Sequence, residues 1–280
     1  MAAEKLRPAW SAQFEADALR AIPLIEPIEG IDPEWAWSGA AGEGVKVAIV
    51  DSGVDGSHPA LEGVVREGVV VVWDPEAEGS VRIEVEDPPR DVSGHGTACG
   101  GIIHGIAPEA EIFSVRVLGS DLTAKALQFA AGLRWAIDAG MQVVNLSLST
   151  SRAEYFGLFH ELTDLAYFHN MILVSAVNNF AGASYPSLYS SVISVAAAEG
   201  QDPHTYYYNP SPPVEFGAPG IDVRVAWQNG GYCTITGNSF AAPHIAGITA
   251  CILSKHPGLT PFHVKTILYA CAANVDRGMG

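Results

Sequence analysis

Residues 45–59, VKVAIVDSGVDGSHP, decide the fold. Five of the first six are apolar, the nearly unbroken run of a strand buried on both faces of a parallel sheet rather than the alternation of a half-exposed one. At Asp51 the run gives way to Ser52, Gly53 and further small, turn-forming residues. A carboxylate at that place ends a buried strand, where it can form a turn, cap a helix or orient an imidazole.

Working outward, four more runs have the same character: EIFSVRVL (111–118), QVVNLSL (142–148), MILVSAV (171–177) and SVISVAAA (191–198). Helical patterns lie between several of them. From Thr123 to Ala139, residues Ala126, Ala130, Leu133 and Ile137 recur at spacings of three or four, and Gly140 follows as a stop. A second helix is expected from Ala153 towards His169. Thr260 and Pro261 read as an N-cap and first helical position ahead of PFHVKTILYACA. Strand and helix therefore alternate, which predicts a single-domain α/β fold: a doubly wound, mostly parallel central sheet flanked by helices, with ligands collected at the carboxyl ends of the strands. The acidic span Glu62–Asp91 and the segment NPSPP (209–213) read as surface excursions.

Composition narrows the function classes. The chain has 280 residues, 48% of them hydrophobic, enough for a large core. Its 31 acidic against 15 basic residues give a formal charge of -16, which opposes binding to nucleic acid or an anionic membrane surface. The apolar runs fall short of the roughly 20 residues a spanning helix needs. The opening segment MAAEKLRPAWSAQFEADALR lacks the apolar stretch of a signal peptide. The cysteines Cys99, Cys233, Cys251 and Cys271 have no CxxC spacing, so reduced thiols are expected rather than a disulfide scaffold or a zinc site. These features predict a soluble cytoplasmic protein, or a secreted one if the chain is the mature part of a longer precursor. No cofactor or metal is called for, and none of the 9 histidines forms an HExxH pattern.

Two further motifs can carry chemistry. In SGHGTACGGI (93–102), His95 stands between glycines that permit close backbone or substrate approach, ahead of small residues suited to a helix. In TGNSFAAPHIAGITACILSKH (236–256), Ser239 precedes a long helix, with Pro243 in its first turn. The free N–H groups and dipole of that helix start can stabilise an oxyanion, although a Ser or Asn there also serves as a plain N-cap.

Together the three motifs resemble those of the subtilisin-like serine peptidases, which carry D-S/T-G, HGT and G-T-S-x-A-x-P in this order. The resemblance runs from about Val45 to about Tyr269 and takes in GIAPEAEIFSVRVL, VVNLSLS and the pair Tyr185–Pro186. It implies a triad of Asp51, His95 and Ser239, an acyl-enzyme, and an oxyanion-stabilising Asn after the strand ILVSAVNN, which alignment assigns to Asn179 rather than Asn178. It also implies that Ser147, Leu148, Ser149 and Ser184 bind substrate. Residues 23–280 would form the peptidase domain, with residues 1–22 as an N-terminal extension.

Several positions depart from the family. Asn178 replaces the glycine that usually precedes the oxyanion Asn, and Asn238 replaces the usual Thr before the nucleophile. Ser149, Thr150 and Ser184 stand where glycines usually line the main specificity pocket, which should narrow it. The chain from Cys99 to Ile112 lacks the Asn-rich loop with which many secreted members bind calcium, and residues 1–22 are too few for the usual fold-assisting propeptide. Cys99, one helical turn after His95, reads as a small core residue that could sit under the imidazole. The expected function is endopeptidase action on polypeptide or peptide substrates. Alternatives are a ligase or macrocyclase using the same acyl-enzyme, and a catalytically silent peptide binder. The acidic span Glu62–Asp91 suggests a preference for basic residues upstream of the cut. The oligomeric state has no signature in the sequence.

Overall fold

The computed structural model describes residues 8–9, 11–21, 30–61 and 63–276. The boundary expected between residues 22 and 23 falls in 22–29, outside the described residues.

Each of the five apolar runs forms a strand of one sheet. They are β1 (Lys46–Asp51), β4 (Glu111–Arg116), β5 (Val143–Leu146), β6 (Ile172–Ala176) and β7 (Ile193–Ala198). Among the described residues the sheet has nine strands in the order β3-β2-β4-β1-β5-β6-β7-β9-β8, completed by β2 (Val65–Trp73), β3 (Val81–Val85), β8 (Tyr207–Tyr208) and β9 (Phe216–Pro219). All neighbours pair in parallel except the antiparallel edges β2–β3 and β8–β9. The order reverses around β1, which has the later β4 on one side and β5 on the other. That switch leaves a crevice beyond the carboxyl end of β1.

The helices are α1 (Ala16–Ala21), α2 (Pro33–Ala36), α3 (His95–Ile106), α4 (Ala126–Asp138), α5 (Phe156–Phe168), α6 (Ala242–Lys255) and α7 (Pro261–Cys271). Alternate β1 side chains enter different cores. Val47 and Ile49 join α3, α6 and α7, whereas Ala48 and Val50 join α4 and α5. This two-sided burial is why β1 is apolar throughout. Leu133 of α4 is fully buried in the second core, so Leu133→Ala should cost about 2–5 kcal/mol. Thr260 caps α7 as expected, its Oγ1 accepting from the His263 N–H at 3.4 Å. A two-stranded ribbon, β10 (Val223–Trp227) with β11 (Gly231–Ile235), packs outside the sheet against α3.

The acidic span is not simply a surface excursion. Val65 and Val69–Val72 lie in β2, with Val69 and Val71 only 2% exposed. The charges flanking that apolar run hide it from a reading by composition. No described helix is long and apolar enough to cross a membrane.

Candidate active site

β1 delivers Asp51 fully buried, with its Oδ1 accepting the Ser52 N–H at 2.7 Å. His95 opens α3, and its Nδ1 lies 2.8 and 2.9 Å from the two Asp51 carboxylate oxygens. With Nδ1–H donating to that carboxylate, Nε2 is left as an acceptor. Burial lowers the His95 pKa, but the charge and hydrogen bond of Asp51, helped by the more distant Asp91, outweigh it and hold the value above the ordinary 6.5.

The approach of β1 to α3 explains the glycines. A Cβ on Gly96 would lie 2.0 Å from the Gly53 carbonyl oxygen, a place no side chain can take. Asp91 secures the start of α3. Its Oδ1 accepts from Ser52 Oγ and from the Ser93 and Gly94 N–H groups, and its Oδ2 accepts from Thr97 N and Oγ1, all at 2.6–2.9 Å. Ser52 Oγ accepts in turn from the Gly96 N–H at 3.1 Å. Sequence reasoning missed both residues, although an Asp four positions before His95 was visible as a helix-start signal.

Ser239 lies in a tight turn, Asn238–Phe240, that leads into α6. Its Oγ donates to the Ser147 carbonyl at 3.2 Å, while Ser147 Oγ donates to the Ser239 carbonyl at 2.9 Å. No hydrogen bond joins Ser239 to His95, and catalytic hydrogen bonds of this kind often tighten only in the substrate complex. Asn145 supports Ser147 through Nδ2 at 2.9 Å. Cys99 does lie under the site, with Sγ 3.4 Å from Ser147 Oγ and 3.9 Å from Asp51 Oδ2. Burial and the nearby Asp51 charge push its thiol well above the ordinary range, so it stays protonated and is no nucleophile.

Asn178 and Asn179 follow β6. Asn179 is exposed, and its Oδ1 accepts from the Asn238 N–H at 3.0 Å. A backbone N–H can only donate, so the amide oxygen is committed and the two Nδ2 donors point elsewhere. The Asn178 amide instead closes its own turn, accepting from the Phe180 N–H at 2.9 Å.

His95, Ser239, Asn178, Asn179, Ser147, Leu148 and Ser149 line one cleft of about 250 Å3. Ser184 does not reach it. This residue is fully buried and bonded to the Asn178 N–H at 2.8 Å and to Ser187 Oγ at 2.6 Å, so it braces the Asn turn from behind. A cavity of about 580 Å3 adjoins the cleft, sharing Leu118, Leu122, Leu148 and Ser149. Its charged lining is basic, Lys125 and Arg152, with Lys125 Nζ 4.4 Å from the Trp73 ring. Four carboxylates of the acidic span are engaged elsewhere: Glu86 with Arg116, Asp74 and Glu84 with Arg82, and Asp91 in the α3 cap. The expected preference for basic substrate residues thus gains no support from this geometry.

The chain is similar to known proteins in sequence and in fold. Residues 42–280 match the Subtilase family. The chain is 32% identical to thermitase of Thermoactinomyces vulgaris over 79% of its own length and 78% of thermitase. It is also 32% identical to a thermostable alkaline protease of Halalkalibacterium halodurans over 81% of its own length, spanning 62% of that longer protein. Among solved structures, sphericase superposes with a TM-score of 0.68 at 26% identity, over 82% of this chain and 83% of sphericase.

Proposed function

The chain belongs to the subtilase family of serine peptidases, and from that premise we propose that it is an endopeptidase whose triad is Asp51, His95 and Ser239. The observation that carries the reading is the convergence, at the switch point of the sheet, of the buried Asp51–His95 pair with Ser239 and an Asn179 whose amide oxygen is already committed.

Ser239 Oγ, released from the Ser147 carbonyl, attacks the substrate carbonyl carbon as its proton passes to His95 Nε2. The imidazolium is stabilised by Asp51 and gives the proton to the leaving amine, which leaves an acyl-enzyme. Water, deprotonated by the same nitrogen, then releases the acid and restores Ser239. The developing oxyanion is met by Asn179 Nδ2 and the Ser239 N–H, which heads toward the start of α6. Ser147, Leu148 and Ser149 form the wall along which an extended polypeptide lies. The free thiols at Cys99, Cys233, Cys251 and Cys271 suit a reducing compartment, and the cytoplasm is the location we propose.

Labelling with a fluorophosphonate, followed by mass mapping, tests the reading. Modification at Ser239, abolished in His95→Ala, is the expected result. Modification at another residue, or none in a chain that cleaves peptides, would overturn it.

A further inference from the structure

We propose that Pro8, Ala9 and Ser11–Phe14 form a clasp that sets the oxyanion donor, and that Asn238 is the positioning residue that fastens it. The inference rests on the reading of Asn179 as that donor.

The clasp closes at Ala9. Its N–H donates to the Asn179 carbonyl at 2.5 Å, and its carbonyl accepts from Asn238 Nδ2 at 2.9 Å. One residue far from the motifs in sequence thus bridges the donor and the residue preceding the nucleophile. Asn238 is fully buried and uses every polar group it has: Nδ2 also reaches the Val177 and Asn178 carbonyls at 3.2 and 3.1 Å, Oδ1 accepts from the Ala197 N–H at 2.9 Å, and its own N–H holds Asn179 Oδ1 at 3.0 Å. A Thr in this place has one hydroxyl donor and cannot serve Ala9 and the β6 strand end together. The departure from the family at Asn238 therefore matches the presence of Ala9 beside it.

Phe14 anchors the other end. It is fully buried among Val177, Ala196, Ala198 and Val214, and its ring occupies the space above Gly217, where an added Cβ would lie 2.3 Å from it. Between the two holds, Ser11 Oγ donates to the Pro8 carbonyl at 2.7 Å and closes the turn. The Asn179 turn needs such support from outside. Its tip residue Phe180 is 74% exposed, so little packs on it from the solvent side. Fixing the Asn179 carbonyl and amide oxygen together fixes the direction of Nδ2, which is the quantity oxyanion stabilisation depends on.

A double-mutant cycle separates this from simple packing. Asn238→Thr and Phe14→Ala are each made in the natural chain and in Asn179→Ala, and kcat and KM are measured on one peptide substrate after active-site titration corrects for unfolded protein. In the natural chain each is expected to lower kcat about tenfold with KM nearly unchanged, since a donor misplaced costs less than one removed. In the Asn179→Ala background each should cost less than about twofold, because the donor they position is already gone. Phe14→Leu, which keeps the anchor apolar, should restore kcat, and the acid limb of the pH profile should stay in place. Equal losses in both backgrounds, or no loss in either, would overturn the clasp while leaving the peptidase reading intact. If Asn179→Ala itself leaves kcat unchanged, the donor assignment fails, and the clasp with it.

Discussion

Two turns flank Ser239, and they are held in different ways. At the His95 turn, Asp91 takes hydrogen bonds from Ser93, Gly94 and Thr97, none more than six residues away, and Ser52 completes the set from the adjoining Asp51 motif. At the Asn179 turn, Ser184 holds from six residues on, but the other two holds, Ala9 and Asn238, come from distant parts of the chain. The first turn is a local motif that docks once. The second also draws on the Ser239 turn and the N-terminal segment. A group held locally depends on its own few residues, whereas one held at long range transmits changes made far from the chemistry.

Substitutions can break that comparison at either turn. The largest effect belongs to the chemistry both turns serve: Ser239→Ala or His95→Ala should lower kcat by at least about 10⁴-fold, with an unchanged circular dichroism spectrum, because nucleophile and base act as one unit. Peptidase activity near that of the natural chain in either variant would end the triad assignment. At the second turn, Asn179→Ala should lower kcat roughly 10²- to 10³-fold with little change in KM. Asn178→Ala, which loses a bond within the turn, should cost much less, and steady-state kinetics that reverse this order would move the donor to Asn178.

At the first turn, Asp91→Ala removes the acceptor that starts α3 and should destabilise the protein by about 1–3 kcal/mol, seen as a Tm lower by roughly 2–4 °C per kcal/mol. If Tm does not move, the local bonds are not what secures His95. Asp91→Asn asks a finer question, since it keeps an acceptor and removes the charge. The His95 pKa is raised above 6.5 in the folded chain. The stability of its pair with Asp51 is therefore complete below the unfolded value and is lost as pH rises through the folded one. Activity runs the other way, because the base must be neutral, so kcat/KM should rise with pH through that folded value. Asp91→Asn should shift this acid limb to lower pH by a fraction of a unit, and a shift to higher pH would contradict the electrostatic account.

The smallest effect concerns metal. α3 ends at Ile106 and β4 begins at Glu111, and that short path offers too few side-chain oxygens for the six to eight ligands of calcium. Excess EDTA should therefore shift Tm by less than about 5 °C and leave peptide hydrolysis unaltered. A larger shift that added calcium reverses would place a site elsewhere, and would make the His95 side of the molecule less self-contained than its hydrogen bonds indicate.

The difference between the turns also marks what can be read from sequence. The strands β1, β4, β5, β6 and β7, the helices α4, α5 and α7, and the positions of Asp51 and His95 were legible because each depends on neighbours along the chain: apolar periodicity, a Pro or Gly at an element end, a small residue where backbones touch. The β2–β3 hairpin was hidden by flanking charge, although the valines of β2 carry its burial. Ser184 was misjudged as a wall of the cleft because its spacing from Asn179 does not reveal on which side of the turn it lies. The part played by Asn238 was hidden, since the four partners of its side chain, Ala9, Val177, Asn178 and Ala197, become neighbours only when the sheet closes. Sequence by itself thus determined the layer order and the chemical groups, because those follow from short-range pattern. Tertiary structure alone decided what holds the Asn178–Asn179 turn beside the cleft, because hydrogen bonds between distant segments form only once burial has brought their donors and acceptors together and excluded the water that competes for them.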